Sequence, residues 1–358
     1  MKIELFKQNV YNLLMIVRSR SPVRISFGGG GTDVSPYPEE KGGCVVSATI
    51  NKYAYATLET RNDNEVHIHS ADFLKSMSFR NANEIIYNND LDLLKAVIKN
   101  MSPGIGMNIF LRCDVPPKSG LGSSAAAFSA MAGLFNHMKK EKKLTDYEVA
   151  ELIYRLEREE LNVGRGKQDQ YATVFGGINF IEFGKEYVRV NPLKMKKDHI
   201  LELEKHLILA YMGQRTEMGG QSGNIIDDQV KRYKSGDKNT IEGHDRAKEV
   251  AIEMRYALLR GDLMRFGELL HEGWIAKKKW SPLISSKYID DIYDAARKSG
   301  AIGGKITGAG GGGFFLFFSE PNKEHVLSET LEKLGLRPVT FTFDWDGLQT
   351  WDVGYNGR

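Results

Sequence analysis

Glycine in this chain is gathered at the ends of regular segments, and that placement constrains the fold more than any other feature. Of 37 glycines in 358 residues, 19 fall in five short stretches, at 28–31, 42–43, 120–122, 164–177 and 303–313. Glycine lets the main chain take a positive φ or approach a ligand closely, so such clusters point to anion-cradling turns. The other reading, flexible linkers, brings Ser and Pro tracts that are absent here. Composition narrows the rest. With 49 basic and 46 acidic residues the formal charge is +3, which excludes a nucleic-acid binder built on bulk charge. Two cysteines, Cys44 and Cys113, and eight scattered histidines offer neither a disulfide framework nor a zinc spacing. No apolar run approaches the roughly 20 residues of a membrane span, so a cytoplasmic protein with no membrane partner is expected. Met15 stands three residues before the first strand-like stretch, so residues 1–14 read as an extension not needed for the fold.

The elements around the clusters are readable. Residues 23–27 and 44–57 are predicted strands, and 107–115 alternates as a third. PPKSGLGSSAAA then leads into a helix through Phe128, Met131 and Phe135. Thr145 and Glu148 fit a capping box ahead of the stripe Val149, Leu152, Ile153 and Leu156. Glu157 and Glu160 continue that stripe on or beside its inward face, where leucine would be ordinary, so a polar site is expected at that helix end. Residues 174–190 read as strand, and PLKMKKDH as a charged connector between two domains, 1–190 and 191–358. Helices at 246–259 and through Leu263, Phe266, Leu270 and Trp274 follow. KITGAGGGGFFLFFS is a glycine turn feeding a strand, and 337–343 is the last strand pattern. Strands and helices interleave without a regular βαβ rhythm, which predicts an α+β fold.

Residues 116–127 carry the most chemistry. A strand, a glycine turn, two serines and an Ala-rich helix start bring unpaired N–H groups and the positive helix end to one point, which suits an anion. The pattern is neither a GxxxxGK[ST] loop nor a dinucleotide GxGxxG. A tight turn with Ser123 or Ser124 merely capping is the alternative.

Two further segments, SPVRISFGGGGTDVSPY and KITGAGGGGF, join this loop in a pattern that resembles the GHMP kinases. The three motifs, at 21–33, 116–126 and 305–314, occur in order, and the resemblance runs over about 18–343. It implies a two-domain α+β architecture, with an N-terminal domain like the second domain of ribosomal protein S5 and a ferredoxin-like C-terminal domain. It also implies ATP and Mg2+ as cofactors. The ATP phosphates would lie on Pro117, Lys118, Ser119, Gly120, Leu121, Gly122, Ser123, Ser124 and Ala125. Ser124, with Ser123 the adjacent candidate, and Glu157 would be the magnesium ligands. GKQDQYATVFGG resembles the loop carrying the catalytic aspartate, here Asp169, with Arg24 as the basic residue beside it.

Gly30, Gly31, Thr32, Asp33, Gly310 and Gly311 are then the expected substrate-binding residues, Asp33 accepting hydrogen bonds from sugar hydroxyls. Galactokinases carry Glu-His where this chain has Gly30 and Gly31, which removes polar contacts, leaves space and favours a longer or phosphorylated sugar. Cations for a sugar phosphate are available at Arg165, Lys167, Arg215, Lys277 to Lys279 and Lys305. Together with HEGWIAKKKWSPLIS, the motifs are similar to those of the branch acting on the anomeric hydroxyl of D-glycero-D-manno-heptose 7-phosphate. The rivals are an anomeric kinase of a free sugar such as L-fucose and a non-catalytic sugar sensor on the same fold. Partners would be small molecules, with the chain a monomer or homodimer.

Overall fold

The computed structural model describes residues 15–162, 164, 166–213 and 222–354. Two long strands, β1 (Ile16–Gly28) and β2 (Gly43–Thr60), pair antiparallel with bulges at Pro22/Val23 and Ser26/Gly28, and the short α1 (Tyr37–Lys41) joins them. There follow β3 (Val66–Ser70), β4 (Lys75–Phe79), α2 (Asp92–Met101), β5 (Met107–Cys113), α3 (Ser123–Met138), α4 (Asp146–Arg155), α5 (Gln168–Phe175), β6 (Ile178–Phe183) and β7 (Val188–Pro192). The remainder comprises α6 (Lys197–His206), β8 (Leu207–Gly213), α7 (Ser222–Lys234), α8 (Lys238–Arg260), α9 (Leu263–Lys278), α10 (Lys287–Lys298), β9 (Ala301–Ile306), β10 (Gly313–Ser319), α11 (Glu324–Lys333), β11 (Arg337–Val339) and β12 (Gln349–Asp352).

The first sheet runs β12-β1-β2-β5-β3-β4, with β6 on the first half of β2 and β7 on β6. The second runs β11-β8-β10-β9 and is antiparallel throughout. β1 serves two cores. Val17 packs with Phe128, Met131 and Phe135 of α3, whereas Val23, Ile25 and Phe27 pack with Met254, Leu258 and Phe266 of α8 and α9. Phe27 meets Phe266 edge-on at 5.2 Å between centroids. Each such buried side chain contributes on the order of 1.5–3 kcal/mol, and together they hold the glycine loop after β1 against the second half of the chain.

Three sequence expectations change. Residues 174–190 are not one strand: Val174 and Phe175 end α5, and Gly176 and Gly177, at φ +67° and +79°, turn the chain into β6. Only Arg337–Val339 of the last strand pattern joins the second sheet. Beyond it the chain returns to the first sheet, where Asn51 N–H donates to the Thr342 carbonyl at 2.9 Å, Ile50 bridges Phe343, and β12 closes the edge of β1. The alternation at 341–343 reflects Phe343 packing edge-on against Phe27 rather than membership of the second sheet. The capping box at Thr145 and Glu148 forms as expected. After α4, however, residues 156–160 take a π-helical turn, which carries Glu157 inward to 2% exposure and leaves Glu160 outside. Such turns shift helical phase by one residue. Residues 1–14 lie outside the described residues, and among those described no helix is long and apolar enough to cross a membrane.

Candidate functional site

β5 delivers the chain to a loop in which Lys118, Gly120 and Gly122 all take positive φ, at +61°, +89° and +72°. Gly122 is the cap residue of α3 and has no side chain to bond the first turn, so the N–H groups at this helix end remain open to an anion. Neither serine is the cap residue. The third glycine run lies directly on this loop. Phe314 N–H donates to the Ser119 carbonyl at 3.1 Å. A Cβ on Gly120 would stand 2.6 Å from the Thr307 carbonyl oxygen, and one on Gly313 would stand 2.1 Å from that of Ser119.

Arg24, on β1 and 3% exposed, ties this loop to the start of α5. Its main-chain N–H donates to the Leu121 carbonyl at 2.9 Å and its Nη1 to the Gly120 carbonyl at 2.7 Å. Its Nε and Nη2 reach Asp169 Oδ1 at 2.8 and 2.6 Å. Asp169 thus sits beside the loop, held by the same guanidinium that braces it.

Two clefts meet at this pair. The larger encloses about 720 Å³ of empty space, open solvent included, against about 530 Å³ for the other. It is lined by Gly30, Gly31 and Asp33 from the first glycine loop, by Glu157, Gln168 and Gln170, and by Lys277, Trp280 and Lys305 from the second half. The other is lined by Lys118, Gly120, Gly122, Ser123 and Ser124. Arg24, Asp169, Ile226, Gly308 and Ala309 border both. A third, more apolar hollow bounded by Phe73, Leu91, Leu94 and Phe128 adjoins the loop through Lys118 and Ser124. It draws on β4 to α2, a stretch left without assignment in the sequence, as was α7, which supplies Ile226 and Gln229.

The expected residues divide accordingly. Lys118, Gly120, Gly122, Ser123 and Ser124 line the loop cleft and Ala125 the larger one. Ser119 and Leu121 are fully buried and shape the loop from within, and Pro117 borders none of these clefts. Thr32 is a fully buried strut: its hydroxyl donates to the Gly29 carbonyl at 2.8 Å, with the Cys44 carbonyl 3.0 Å away, and accepts the Cys44 N–H at 3.0 Å. Gly310 and Gly311 pack on Ile284, whose carbonyl accepts the Gly311 N–H at 2.9 Å, while their neighbours Gly308 and Ala309 face the clefts. The space expected at Gly31 is filled from the other half of the chain. A Cβ there, at φ +97°, would stand 2.8 Å from the Trp280 ring.

Asp33 is 2% exposed and accepts N–H bonds from Gly31 at 2.9 Å and from Gln168, main chain at 3.0 Å and side chain at 3.1 Å. Burial raises its carboxyl above the usual range, partly offset by those N–H groups. Of the expected cations, Lys277 and Lys305 face the larger cleft. Lys277 Nζ donates to the Ile306 carbonyl at 3.1 Å, and Lys305 Nζ to the Ser26 and Phe27 carbonyls at 2.9 and 3.1 Å. Burial, with the Arg24 charge nearby, pushes the Lys305 ammonium down to about 7. Lys278 pairs with Asp290, Lys279 lies 4.0 Å from Glu242, and Lys167 lies over the Tyr154 ring. Arg165 and Arg215 fall outside the described residues.

Trp280 is itself fixed by His244, stacked on it at 4.7 Å, whose Nδ1 bonds the Thr240 carbonyl. Burial lowers this imidazole to about 4. The unfolded chain therefore binds the extra proton between pH 6.5 and 4, and stability drains away as pH falls through that window. His244→Phe, which keeps the ring and removes the titration, is expected to flatten that acid limb in melting curves. An unchanged slope between pH 6.5 and 4.5 would exclude His244 as its source.

Comparison with known proteins places the chain. The profile for the GHMP kinases N terminal domain matches residues 92–177, and that for GHMP kinases C terminal matches residues 254–334. A D-glycero-alpha-D-manno-heptose 7-phosphate kinase of Campylobacter jejuni is 32% identical over 343 residues, covering 94% of this chain and 99% of that one. A crystal structure described as a D-glycero-D-manno-heptose 1-phosphate kinase from Bacteriodes thetaiotaomicron superposes with a TM-score of 0.79 at 32% identity, covering 95% of this chain and all of that one. A bifunctional fucokinase/GDP-fucose pyrophosphorylase of Arabidopsis thaliana is 28% identical over 87% of this chain and 31% of that protein.

Proposed function

Because the chain belongs to the GHMP kinase family, whose members use ATP as phosphate donor, we propose that it phosphorylates the anomeric hydroxyl of D-glycero-D-manno-heptose 7-phosphate, giving the 1,7-bisphosphate. The observation that carries this reading is the Arg24–Asp169 pair at the junction of two clefts, one bordered by the phosphate loop and the other by buried lysines.

In the proposed reaction the loop N–H groups and Lys118 bind the ATP phosphates, and the apolar hollow beyond Ser124 takes the base. The sugar lies in the larger cleft with its anomeric hydroxyl at Asp169, which accepts the proton as the sugar oxygen bonds to the γ-phosphorus and the bond from that phosphorus to the β–γ bridging oxygen breaks, leaving ADP. The Arg24 guanidinium offsets the negative charge developing on that oxygen. An anomeric hydroxyl is more acidic than an ordinary alcohol, which suits a carboxylate base. Lys277 supplies positive charge for a substrate that carries its own phosphate, and that phosphate would draw Lys305 to its charged form. The donor chemistry also fits Mg2+. Glu157 is a buried carboxylate in the cleft wall, and the described residues contain no cluster of three or more His, Cys, Asp or Glu, so a cation here would complete its shell from phosphate and water oxygens. Ser124 and Glu157 would hold it, and its charge would offset that of the phosphates.

The similarity to fucokinases supports a free-sugar kinase as the second reading. Heptose 7-phosphate, L-fucose and N-acetylhexosamines offered with ATP and Mg2+ separate the two. Heptose 7-phosphate is expected to be preferred, with phosphorus NMR showing a new anomeric phosphate. A kcat/KM two orders of magnitude higher for an unphosphorylated sugar would overturn the proposal. Absence of sugar-dependent ADP release would point to a sensor instead.

A further inference from the structure

Two glutamines flank the aspartate that the proposed reaction uses, and both are held in the same unusual way. Gln168 donates its side-chain Nε2 to Asp33 Oδ1 at 3.1 Å, and Gln170, 1% exposed, donates its Nε2 to Glu157 Oε2. An ionised carboxylate only accepts, so each amide must turn its NH2 group toward the acid, and the position of its oxygen follows. Both Oε1 atoms are buried without a hydrogen-bond partner, in residues that line the larger cleft. A buried amide oxygen left unpaired is destabilising. Gln168 and Gln170 flank Asp169 in the chain and line the same cleft, so a polyhydroxylated ligand there would supply the missing donors.

Asp33 lines the same cleft and is held by its neighbours. Its oxygens already accept three N–H bonds from Gly31 and Gln168, and a Cβ on Gly166 would stand 1.9 Å from Oδ2, so the 166–168 turn closes over it. We propose that Gln168 Oε1 and Gln170 Oε1 accept the hydroxyl hydrogens of the sugar on either side of the reacting group, and that Asp33 is a positioning residue that aims Gln168.

This inference rests on the chain being a sugar kinase, and it does not depend on which sugar is used. The test takes whichever sugar the wild-type enzyme phosphorylates best, with its monodeoxy analogues, against wild type, Gln168→Met and Gln170→Met. Methionine keeps the length but removes both the Oε1 acceptor and the Nε2 donor to the carboxylate, so the deciding readout is discrimination among the analogues and not the rate on the parent sugar. Wild type should lose about 10- to 100-fold in kcat/KM on one or two analogues. Gln168→Met should lose a similar factor on the parent sugar, chiefly in KM, and should no longer distinguish the parent from the analogue that lacks its hydroxyl. Gln170→Met should behave likewise for a different hydroxyl; ATP KM should stay within twofold in Gln168→Met, whereas Gln170→Met also removes the amide donor to Glu157 and is read by sugar discrimination alone. Two independent variants protect the test against one misfolding, with ATP binding as the control. If both variants discriminate among the analogues as wild type does, the inference is overturned while the sugar-kinase reading stands. If wild type prefers a free sugar, the heptose proposal falls and this inference is tested on that sugar.

Discussion

Asp169→Asn lowers kcat by about 10²–10⁴, the range for losing a general acid–base group, while ATP binding persists. The expectation follows from the contacts. Asparagine keeps an oxygen for the Arg24 bonds at 2.8 and 2.6 Å, so the brace between β1, the loop and α5 survives. The loop N–H groups that would hold the phosphates belong to residues 118–124, not to α5. What disappears is the negative charge and the capacity to take a proton from the acceptor hydroxyl. Sugar-dependent ADP release measures the first part, and titration with a non-hydrolysable ATP analogue the second. Near-normal turnover in this variant would remove Asp169 from the chemistry.

Gly120→Ala acts on the other substrate. At φ +89° a side chain is strained by on the order of 1–3 kcal/mol, and the added Cβ would stand 2.6 Å from a main-chain carbonyl at Thr307. That neighbour belongs to the backbone leaving β9 and cannot swing away as a side chain could. The loop must shift, and because the Gly120 carbonyl accepts from Arg24 Nη1 at 2.7 Å, the shift reaches the aspartate. ATP affinity is expected to fall about 10- to 100-fold at roughly 1.4 kcal/mol per decade, with a drop in kcat. Gly104→Ala is the control, since that residue also has a positive φ, +79°, but no atom within 4 Å of an added Cβ. It should leave ATP affinity unchanged. Equal affinity in wild type and Gly120→Ala would show that the loop does not cradle the nucleotide phosphates.

Much of this site is legible along the chain because its parts are local. The strand, glycine turn and helix start at 107–138 occupy one continuous stretch, and an anion site at a helix end needs only that stretch. Arg24 and Asp169 could be named from the motifs around them, although 145 positions separate them in the hydrogen bond they form. Glu157 was conspicuous as an acid on an apolar stripe, but the π-helical turn that buries it is not written in that stripe.

The glycine loops mark the limit. Gly30 and Gly31 read as missing side chains and therefore as open space. In the fold, the ring of Trp280, 249 positions from Gly31, stands where a Gly31 side chain would, and Ser26 and Gln168 stand beside Gly30. Thr32 looked like a ligand because it precedes Asp33, yet its hydroxyl is consumed by the Gly29 carbonyl and the Cys44 N–H. The sequence by itself determined the family and the segments that build the site: a glycine turn at a helix start, an Arg and an Asp carried by two separate motifs, and two further glycine loops. Only the tertiary structure decided which atoms meet. Close approach depends on two backbones arriving at one point, and hydrogen-bond capacity depends on what neighbours have already used, so what surrounds Gly31 and Asp33 comes only from the partners that the fold brings to them.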